Sequence, residues 1–239
     1  MIKLDNKTLV RWLVISAVVV VVMLALSVWG ATRPGLGEEV CTHWNAAGVC
    51  DGWGGKFLGF YLLPLVMIGV VGLIAAIPFI EPRRSNLAMS RTAYVALWAV
   101  LLFYFLVLHV ILVINALHEA GVVAFNLDVG RLVPISVGVL FVVIGNYLGK
   151  IRSNYMMGIR TPWTLASDLA WDKTHRLGGK LFMLAGLLLV LSSLFLPATW
   201  WVYVMLGTLF PMIIFLFVYS YLVWRNDPKA HNGITGNAG

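Results

Sequence analysis

Charged residues are scarce in this chain of 239 residues. Asp, Glu, Lys and Arg together make up 11% of the sequence, whereas hydrophobic residues make up 61%. A soluble globular domain carries a charged share roughly twice as large, about 25%. The composition therefore excludes a soluble globular domain and predicts an integral membrane protein. The formal net charge of +7 does not indicate nucleic-acid binding, because the basic residues lie at the ends of apolar runs, where anionic lipid headgroups are the expected partners.

Acidic residues are missing from the middle of every apolar run, which excludes a carboxylate-based proton relay and argues against ion-coupled transport. The chain also lacks the G-x-S-x-G, H-E-x-x-H and P-loop motifs. We therefore predict no catalytic residue, no cofactor and no metal ion.

His109 is an ionisable group within an apolar run and so a functional candidate, although a neutral ring that is hydrogen-bonded to a neighbouring helix is the favoured interpretation.

Six apolar segments approach the roughly 20 residues that cross a bilayer. The first, Trp12 to Trp29, exceeds a signal-peptide core of about 7 to 15 residues, so we expect a retained helix. The fourth and fifth, of 17 and 16 residues, are short, so we expect them either to extend as helix into the loop between them or to have their ends covered by other parts of the protein. The predicted spans are Arg11 to Gly30, Phe57 to Ile80, Ala93 to Leu117, Leu132 to Leu148, Leu181 to Leu196 and Trp201 to Trp224.

The basic residues divide unequally between the two sides of these spans. One side collects fourteen Lys and Arg, and the other holds only Arg33, Lys56 and Arg131. The positive-inside rule then places both termini in the cytoplasm. The predicted fold is an all-α, polytopic six-helix transmembrane bundle, N-in and C-in, with a structured cytoplasmic loop between helices four and five.

The predicted outer loop between the first two spans holds the chain's only two cysteines, Cys41 and Cys50. In an oxidising compartment they predict one disulfide, worth roughly 2 to 3 kcal/mol by loop-entropy arguments. A metal site of both cysteines with His43 is the alternative, although no fourth ligand is evident. The polar and aromatic residues of this loop form a candidate binding patch for a peptide or lipid, or else act as turn residues and interfacial anchors. They are His43, Trp44, Asn45, Asp51, Trp53 and Lys56.

The predicted inner loop, between the fourth and fifth spans, is unusually rich in polar, aromatic and basic residues. Thr161 must be extended or in a turn because it precedes a proline. Thr164 or Ser167 can then cap a short helix that runs to about Arg176. The helical spacing places Ser167, Trp171, Thr174 and His175 on one face. Such a face could clamp a phosphate, a lipid headgroup or an acidic peptide, or could anchor an interfacial helix. The candidate binding residues are Asn146, Arg152, Asn154, Arg160, Thr161, Trp163, Trp171, Thr174 and His175.

The inner loop also resembles the signature of the SdpI family. The similar residues are Gly145-Asn146, Asn154, Gly158 to Thr164, Trp171 and Thr174-His175, and the stretch Pro82 to Asn86 is similar to that family's junction after a membrane helix. The outer loop resembles the small membrane domain of unknown function that often precedes the signature. The resemblance implies three parts: an N-terminal two-helix unit (1–92) with the cysteine loop, an SdpI-like four-helix unit (93–229) with the motif loop, and a flexible tail (230–239).

The resemblance also implies a function. The leading hypothesis is a bacterial immunity and signalling protein that senses or neutralises a membrane-active peptide toxin. Its expected partners are membrane lipids, a secreted antimicrobial peptide and a cytoplasmic repressor, and no nucleic acid. The alternative is an enzyme or lipid-binding protein that acts on a phosphorylated lipid headgroup at the cytoplasmic face. It would use Arg152, Arg160, Lys173 and Arg176, with His175 and either Asp168 or Asp172 as an acid-base pair.

Overall fold

The computed structural model describes residues 6–231. Nearly all of the predicted C-terminal tail, from residue 232 onward, lies outside the described residues. The described chain is mainly helical, with one short two-stranded antiparallel sheet. In chain order its elements are α1 (Asn6–Ala31), β1 (Glu39–Trp44), β2 (Cys50–Gly55), α2 (Lys56–Ile80), α3 (Arg84–Met89), α4 (Arg91–Glu119), α5 (Val129–Leu148), α6 (Pro162–Ala166), α7 (Asp168–Phe195), α8 (Trp200–Arg225) and α9 (Pro228–His231).

Six of these helices are long and apolar enough to cross a membrane: α1, α2, α4, α5, α7 and α8. The predicted six-helix membrane fold is thus confirmed. The fifth span extends into the loop as expected, because α7 begins at Asp168 and has 28 residues. The expected extension of the fourth span was wrong: α5 has 20 residues and ends at Leu148, and its added residues lie at the opposite end. The division into units at residue 92 stays a prediction; α4, just beyond it, packs against both α1 and α2 as well as α5.

The inner-loop helix differs from the prediction. Ser167 caps a helix, its hydroxyl accepting from the Ala170 backbone N–H at 3.0 Å. That helix does not stop near Arg176, however, but continues as α7 through the membrane span. The prediction that this helix ends near Arg176 was wrong: Gly178 and Gly179 continue α7, in positions where an added methyl group would meet Ile159 and Gly145. The short separate helix is α6, which lies before Ser167.

The hairpin of β1 and β2 was not predicted. It pairs Cys41 with Trp53 and Trp44 with Cys50, with register irregularities near His43. Its turn contains Gly48, whose φ of +79° suits glycine, and a methyl group there would lie 3.0 Å from the backbone N of Gly130 at the start of α5. The turn therefore packs closely on the helix bundle.

Two reciprocal glycine contacts bring α5 and α7 together. A methyl group on Gly186 would lie 2.5 Å from the carbonyl O of Gly138, and one on Gly179 would lie 2.6 Å from the carbonyl O of Gly145. The glycines are seven residues apart on both helices, so one helix face presents both contacts. In lipid, where burial from water does not drive helices together, this close backbone approach favours association. We call these four residues the glycine seam.

On the other side of the bundle, α1, α2 and α4 are joined by buried polar groups. The Nε2 of His109 lies 3.2 Å from Ser27 Oγ and 3.0 Å from the carbonyl O of Met23 on α1. Ser27 Oγ also donates to the carbonyl O of Phe60 on α2 at 2.6 Å. The expected hydrogen bonding of His109 to a neighbouring helix is confirmed.

Both ends of the described bundle lie on one face together with the loop between α5 and α7. Near the start of α1, Thr8 accepts from the Arg91 guanidinium, and after α8 the Asp227 carboxylate accepts from Ser167. At the opposite face, Trp201 Nε1 donates to the carbonyl O of Ala46 in the hairpin turn at 3.2 Å. The chain thus has two opposed faces, which we call inner and outer after the positive-inside prediction; their assignment to cytoplasm and exterior stays a prediction.

The glycine seam predicts the cost of a single methyl group. Gly186→Ala should lower the free energy of unfolding by about 1–3 kcal/mol, because the added Cβ would meet the Gly138 carbonyl and force α5 and α7 apart. Gly207→Ala in α8 is the matched control, since nothing lies within 4 Å of that position, and it should be neutral or slightly stabilising. Thermal unfolding in detergent measures both, and equal effects would contradict the seam.

Candidate functional site

The loop between α5 and α7, residues 149–167, folds as a compact layer over the inner end of the bundle. We call it the inner cap. Apart from α6 it has little regular structure, so its backbone N–H and C=O groups need partners from elsewhere in the protein. Buried side chains supply many of them, some from within the loop and others from the α2–α4 junction and from α7.

Asn154 organises the middle of the inner cap and is fully buried. Its Oδ1 accepts from the backbone N–H groups of Met156 and Met157 at 2.9 and 2.7 Å. Its Nδ2 donates to the carbonyl O of Arg152 at 2.8 Å. The side chain thereby replaces hydrogen bonds that a helix or strand would have provided. Because the side chain is buried, none of its polar atoms is exposed for the ligand binding that was predicted for Asn154.

Glu81, directly after α2, holds the inner cap from the other half of the chain. Its side chain is only 1% exposed. Oε1 accepts from the Arg83 backbone N–H at 2.8 Å, and Oε2 accepts from Tyr155 and Met156 at 3.0 and 3.1 Å. Sequence analysis missed this residue; the available signal was a carboxylate at the end of a span, followed by Pro-Arg-Arg.

The segment after Glu81 makes three more contacts with the inner cap. The Arg83 guanidinium donates to Ser153 Oγ, and Asn86 Nδ2 donates to the carbonyl O of Ser153 at 2.7 Å. Ser90 Oγ accepts from the Arg152 backbone N–H at 2.9 Å. The junction between α2 and α4 and the inner cap are therefore one hydrogen-bonded unit.

His175 and Trp171, both on α7, support the inner cap from below. Trp171 Nε1 donates to the carbonyl O of Ile151 at 2.7 Å, and its ring stacks on His175 with centroids 3.9 Å apart. His175 Nδ1 lies 2.8 Å from the carbonyl O of Trp171, and Nε2 lies 2.9 Å from the backbone N of Ile159. Because a carbonyl can only accept and a backbone N–H can only donate, Nδ1 carries the proton and the ring is neutral.

Gly158 allows this contact. Its φ is +110°, and a side chain there would collide with His175 Nε2. Both ring nitrogens of His175 are engaged by the backbone, and the residue is 1% exposed. The arrangement positions the loop and leaves the ring without a free lone pair for acid-base chemistry. The acid-base pair of His175 with Asp168 or Asp172 therefore gains no support from the geometry.

The end of the inner cap is fixed to α8. Thr161 is extended, with φ −93° and ψ 160°, as predicted for a residue before proline, and it forms a reciprocal capping box with Thr164. Its Oγ1 lies 3.0 Å from Ser220 Oγ on α8. Trp163 packs edge-on against Phe217 of the same helix, with ring centroids 4.7 Å apart. These contacts make α8 the third support of the cap.

Ser167 joins the inner cap to the residues after α8. Its hydroxyl donates to Asp227 Oδ2 at 2.5 Å while accepting from Ala170. This hydrogen bond holds the pKa of the Asp227 carboxyl below its usual range, since it stabilises the ionised form. The pair ties the first turn of α7 to the end of α8.

The predicted inner site therefore separates into two groups. The shared face of Ser167, Trp171, Thr174 and His175 is buried beneath the inner cap. This burial lends no support to the predicted clamp, which stays a prediction. Thr174 Oγ1 has no hydrogen-bond partner among the described residues. Trp163 is half-buried. The exposed candidates are Asn146, Arg152 and Arg160.

The predicted outer residues are distributed over the hairpin and its junction with α2. Asn45 Oδ1 accepts from the backbone of Ala47 and Val49, which closes the turn. His43 Nδ1 lies 2.5 Å from Asp51 Oδ1 on the opposite strand. The remaining candidates differ in exposure: Trp44 is buried, Trp53 is exposed, and Lys56 lies 3.9 Å from Glu38.

The predicted disulfide between Cys41 and Cys50 is present. The alternative metal site with His43 is wrong, because both thiols are consumed by the bond. The disulfide crosses the hairpin close to its turn and packs in a buried cluster with Val40 and Phe60. It therefore fixes the hairpin on the outer ends of α2 and α4.

Comparisons with known proteins agree with this architecture. The SdpI/YfhL protein family matches residues 150–220, which comprise nearly all of the inner cap, α7 and most of α8. The predicted resemblance to the SdpI family is confirmed. A domain of unknown function (DUF1648) matches residues 18–68, which include the outer hairpin.

Immunity protein SdpI of Bacillus subtilis (strain 168) is 23% identical to this chain over 163 residues, which cover 67% of this chain and 72% of that protein. No solved structure gives a significant match. The chain is thus a multi-pass membrane protein that is similar to an immunity protein.

Glu81 provides the sharpest test of how the inner cap is held. Glu81→Gln keeps the shape of the side chain but replaces one acceptor oxygen with a donor, so at least one backbone N–H loses its partner. The free energy of unfolding should fall by about 1–3 kcal/mol, and hydrogen exchange should quicken at Tyr155 and Met156. Exchange measured by mass spectrometry on the wild type and the variant checks this, and unchanged protection would contradict the assignment.

Removing the disulfide should loosen the outer face. The double substitution of Cys41 and Cys50 by Ser should lower the free energy of unfolding by roughly 2–3 kcal/mol. Proteolysis should become faster within residues 39–55, while cleavage of the inner cap stays unchanged. Limited proteolysis followed by peptide mapping distinguishes the two regions.

Proposed function

We propose that this protein protects a bacterial cytoplasmic membrane against a secreted, membrane-active peptide. The observation that carries the proposal is the similarity to a curated immunity protein across most of both chains. In this proposal the outer hairpin meets the peptide, and the inner cap is the coupled cytoplasmic element.

The hairpin suits contact with an amphipathic peptide. Trp53 is 54% exposed on β2, and Val49 in the turn is 59% exposed. Both lie on a platform made rigid by the disulfide and by the hydrogen bond from Trp201. Rigid aromatic side chains bind with little loss of conformational entropy. The hairpin therefore presents an ordered apolar surface beside the outer membrane interface.

Helix α2 supplies the mechanical connection between the two faces. It begins at Lys56, directly after β2, and ends at Ile80, directly before Glu81. Its 25 residues span about 38 Å at the usual helical rise. A displacement of the hairpin would move the outer end of this helix, and the Glu81 carboxylate at the inner end would carry the movement to Tyr155 and Met156.

Capture of a cytoplasmic repressor is the second part of the proposal, and the family resemblance implies it. The exposed side chains of Arg152 and Arg160 give the inner cap a cationic surface. A change in the cap would alter that surface directly, so peptide binding outside could change partner binding inside. An acidic protein surface is the complementary partner.

The protection test uses a peptide-sensitive bacterium that expresses the protein. Expression should raise the peptide concentration needed to kill the cells, and Trp53→Ala should abolish most of that gain. Trp200→Ala is the matched control, because Trp200 is also exposed at the outer side but lies on α8, outside the hairpin. It should leave protection unchanged. Membrane levels of each variant are measured by immunoblotting, and equal survival with and without the protein over a panel of peptides would overturn the proposal.

A further inference from the structure

Two guanidinium groups on the inner face converge on one tyrosine. The guanidinium of Arg83 lies over the ring of Tyr155, with its central carbon 4.8 Å from the ring centroid. The Nη1 of Arg160 donates to the carbonyl O of Tyr155 at 2.6 Å. These side chains come from positions 77 residues apart in the sequence, and the inner cap brings them together.

Neutral oxygens hold both groups in place. Besides Tyr155, the Arg83 guanidinium donates to Ser153 Oγ and, at 3.4 Å, to the carbonyl O of Leu165. Within residues 6–231, neither guanidinium has a carboxylate oxygen within 4 Å. Glu81 is the nearest acidic residue in sequence, and its two oxygens accept from backbone N–H groups. The two positive charges are therefore ordered without a matching ion pair.

The position of this pair is at a membrane boundary. Arg83 follows the last turn of α2, where Phe79 and Ile80 are 64% and 58% exposed. Large apolar side chains exposed at the end of a membrane span face lipid acyl chains. Arg84, next in the sequence, donates to the carbonyl O of Phe79 at 3.0 Å. The guanidinium groups thus lie at the level of the lipid headgroups, and the neighbouring surface accommodates acyl chains.

We propose that Arg83, Tyr155 and Arg160 form a binding site for the phosphate of an anionic lipid headgroup. Arg160 is the main donor, because only one of its five N–H groups has a partner within the described protein. Arg83 contributes its charge, and the Tyr155 hydroxyl adds a donor at the rim. A phosphodiester carries one negative charge and accepts a bidentate guanidinium contact. The proposal does not depend on protection against a peptide.

The test measures lipid binding to the purified full-length protein by native mass spectrometry. Phosphatidylglycerol should bind more tightly than phosphatidylcholine. Arg160→Gln should weaken phosphatidylglycerol binding about tenfold, the loss expected for a charge-assisted hydrogen-bonded contact. The matched control is Arg225→Gln, which removes the same charge from an exposed arginine at the inner end of α8 and should change binding less than twofold.

Two further measurements distinguish a lipid ligand from free phosphate and test the role of Arg83. Arg83→Lys retains the charge but loses the planar fork, so it should weaken binding severalfold while thermal unfolding confirms that the protein is folded. Inorganic phosphate at millimolar concentration should compete poorly if a lipid is the ligand. Strong competition with no lipid preference would overturn the lipid assignment, and so would equal binding of phosphatidylglycerol to the wild type and the Arg160→Gln variant.

Discussion

The rest of this structure depends on the hydrogen bonds between buried side chains and the backbone of the inner cap. At the edge of a membrane, irregular chain is tolerated only where protein satisfies its N–H and C=O groups. Here the carboxylate of Glu81, the amide of Asn154 and the imidazole of His175 each accept from backbone N–H groups of the cap. They come from α2, the cap and α7, so the cap can form only when these parts are assembled.

This constraint explains why the polar inner loop looked like a binding site from its sequence. Asn, Thr, Trp and His are residues that bind ligands, but they are also residues that satisfy backbone groups when buried. Sequence spacing correctly placed Trp171, Thr174 and His175 on one helix face. It could not decide whether that face met solvent or protein, because the loop that covers it is irregular and has no periodicity to read.

Some other features could also be predicted from the sequence, whereas others became visible only in the folded structure. The lengths of the apolar segments predicted six membrane spans. Pro162 predicted a non-helical backbone at Thr161, and the presence of two cysteines in one loop predicted the disulfide. The hairpin was missed because β2 is rich in glycine and has no hydrophobic alternation. The glycine seam was not predicted, because Gly145 and its partner Gly179 lie on different helices and sequence spacing does not show which helices meet.

The two ways of joining helices give the bundle unequal rigidity. The glycine seam brings the backbones of α5 and α7 into direct contact, and a packed seam of this kind has little freedom to slide. Helix α2 instead has much of its surface exposed to lipid and is joined to its neighbours by a few hydrogen bonds, such as Ser27 to Phe60 and Tyr94 to Ile74. Relative movement is therefore expected between α2 and the pair α5 and α7, and Glu81 is at that junction.

The same junction couples the cap to the charges on its surface. Glu81 accepts from the backbone of Tyr155, while Arg83 and Arg160 contact the ring and the carbonyl of that residue. Any anion held by the two arginines therefore acts on the segment that Glu81 fixes. Because coupling between two binding events is reciprocal, a ligand that stabilises this arrangement of Tyr155 must bind more weakly when α2 pulls Glu81 away from it. Helix α2 and the Glu81 carboxylate are therefore the structural connection through which the proposed coupling between the outer hairpin and the inner cap would act.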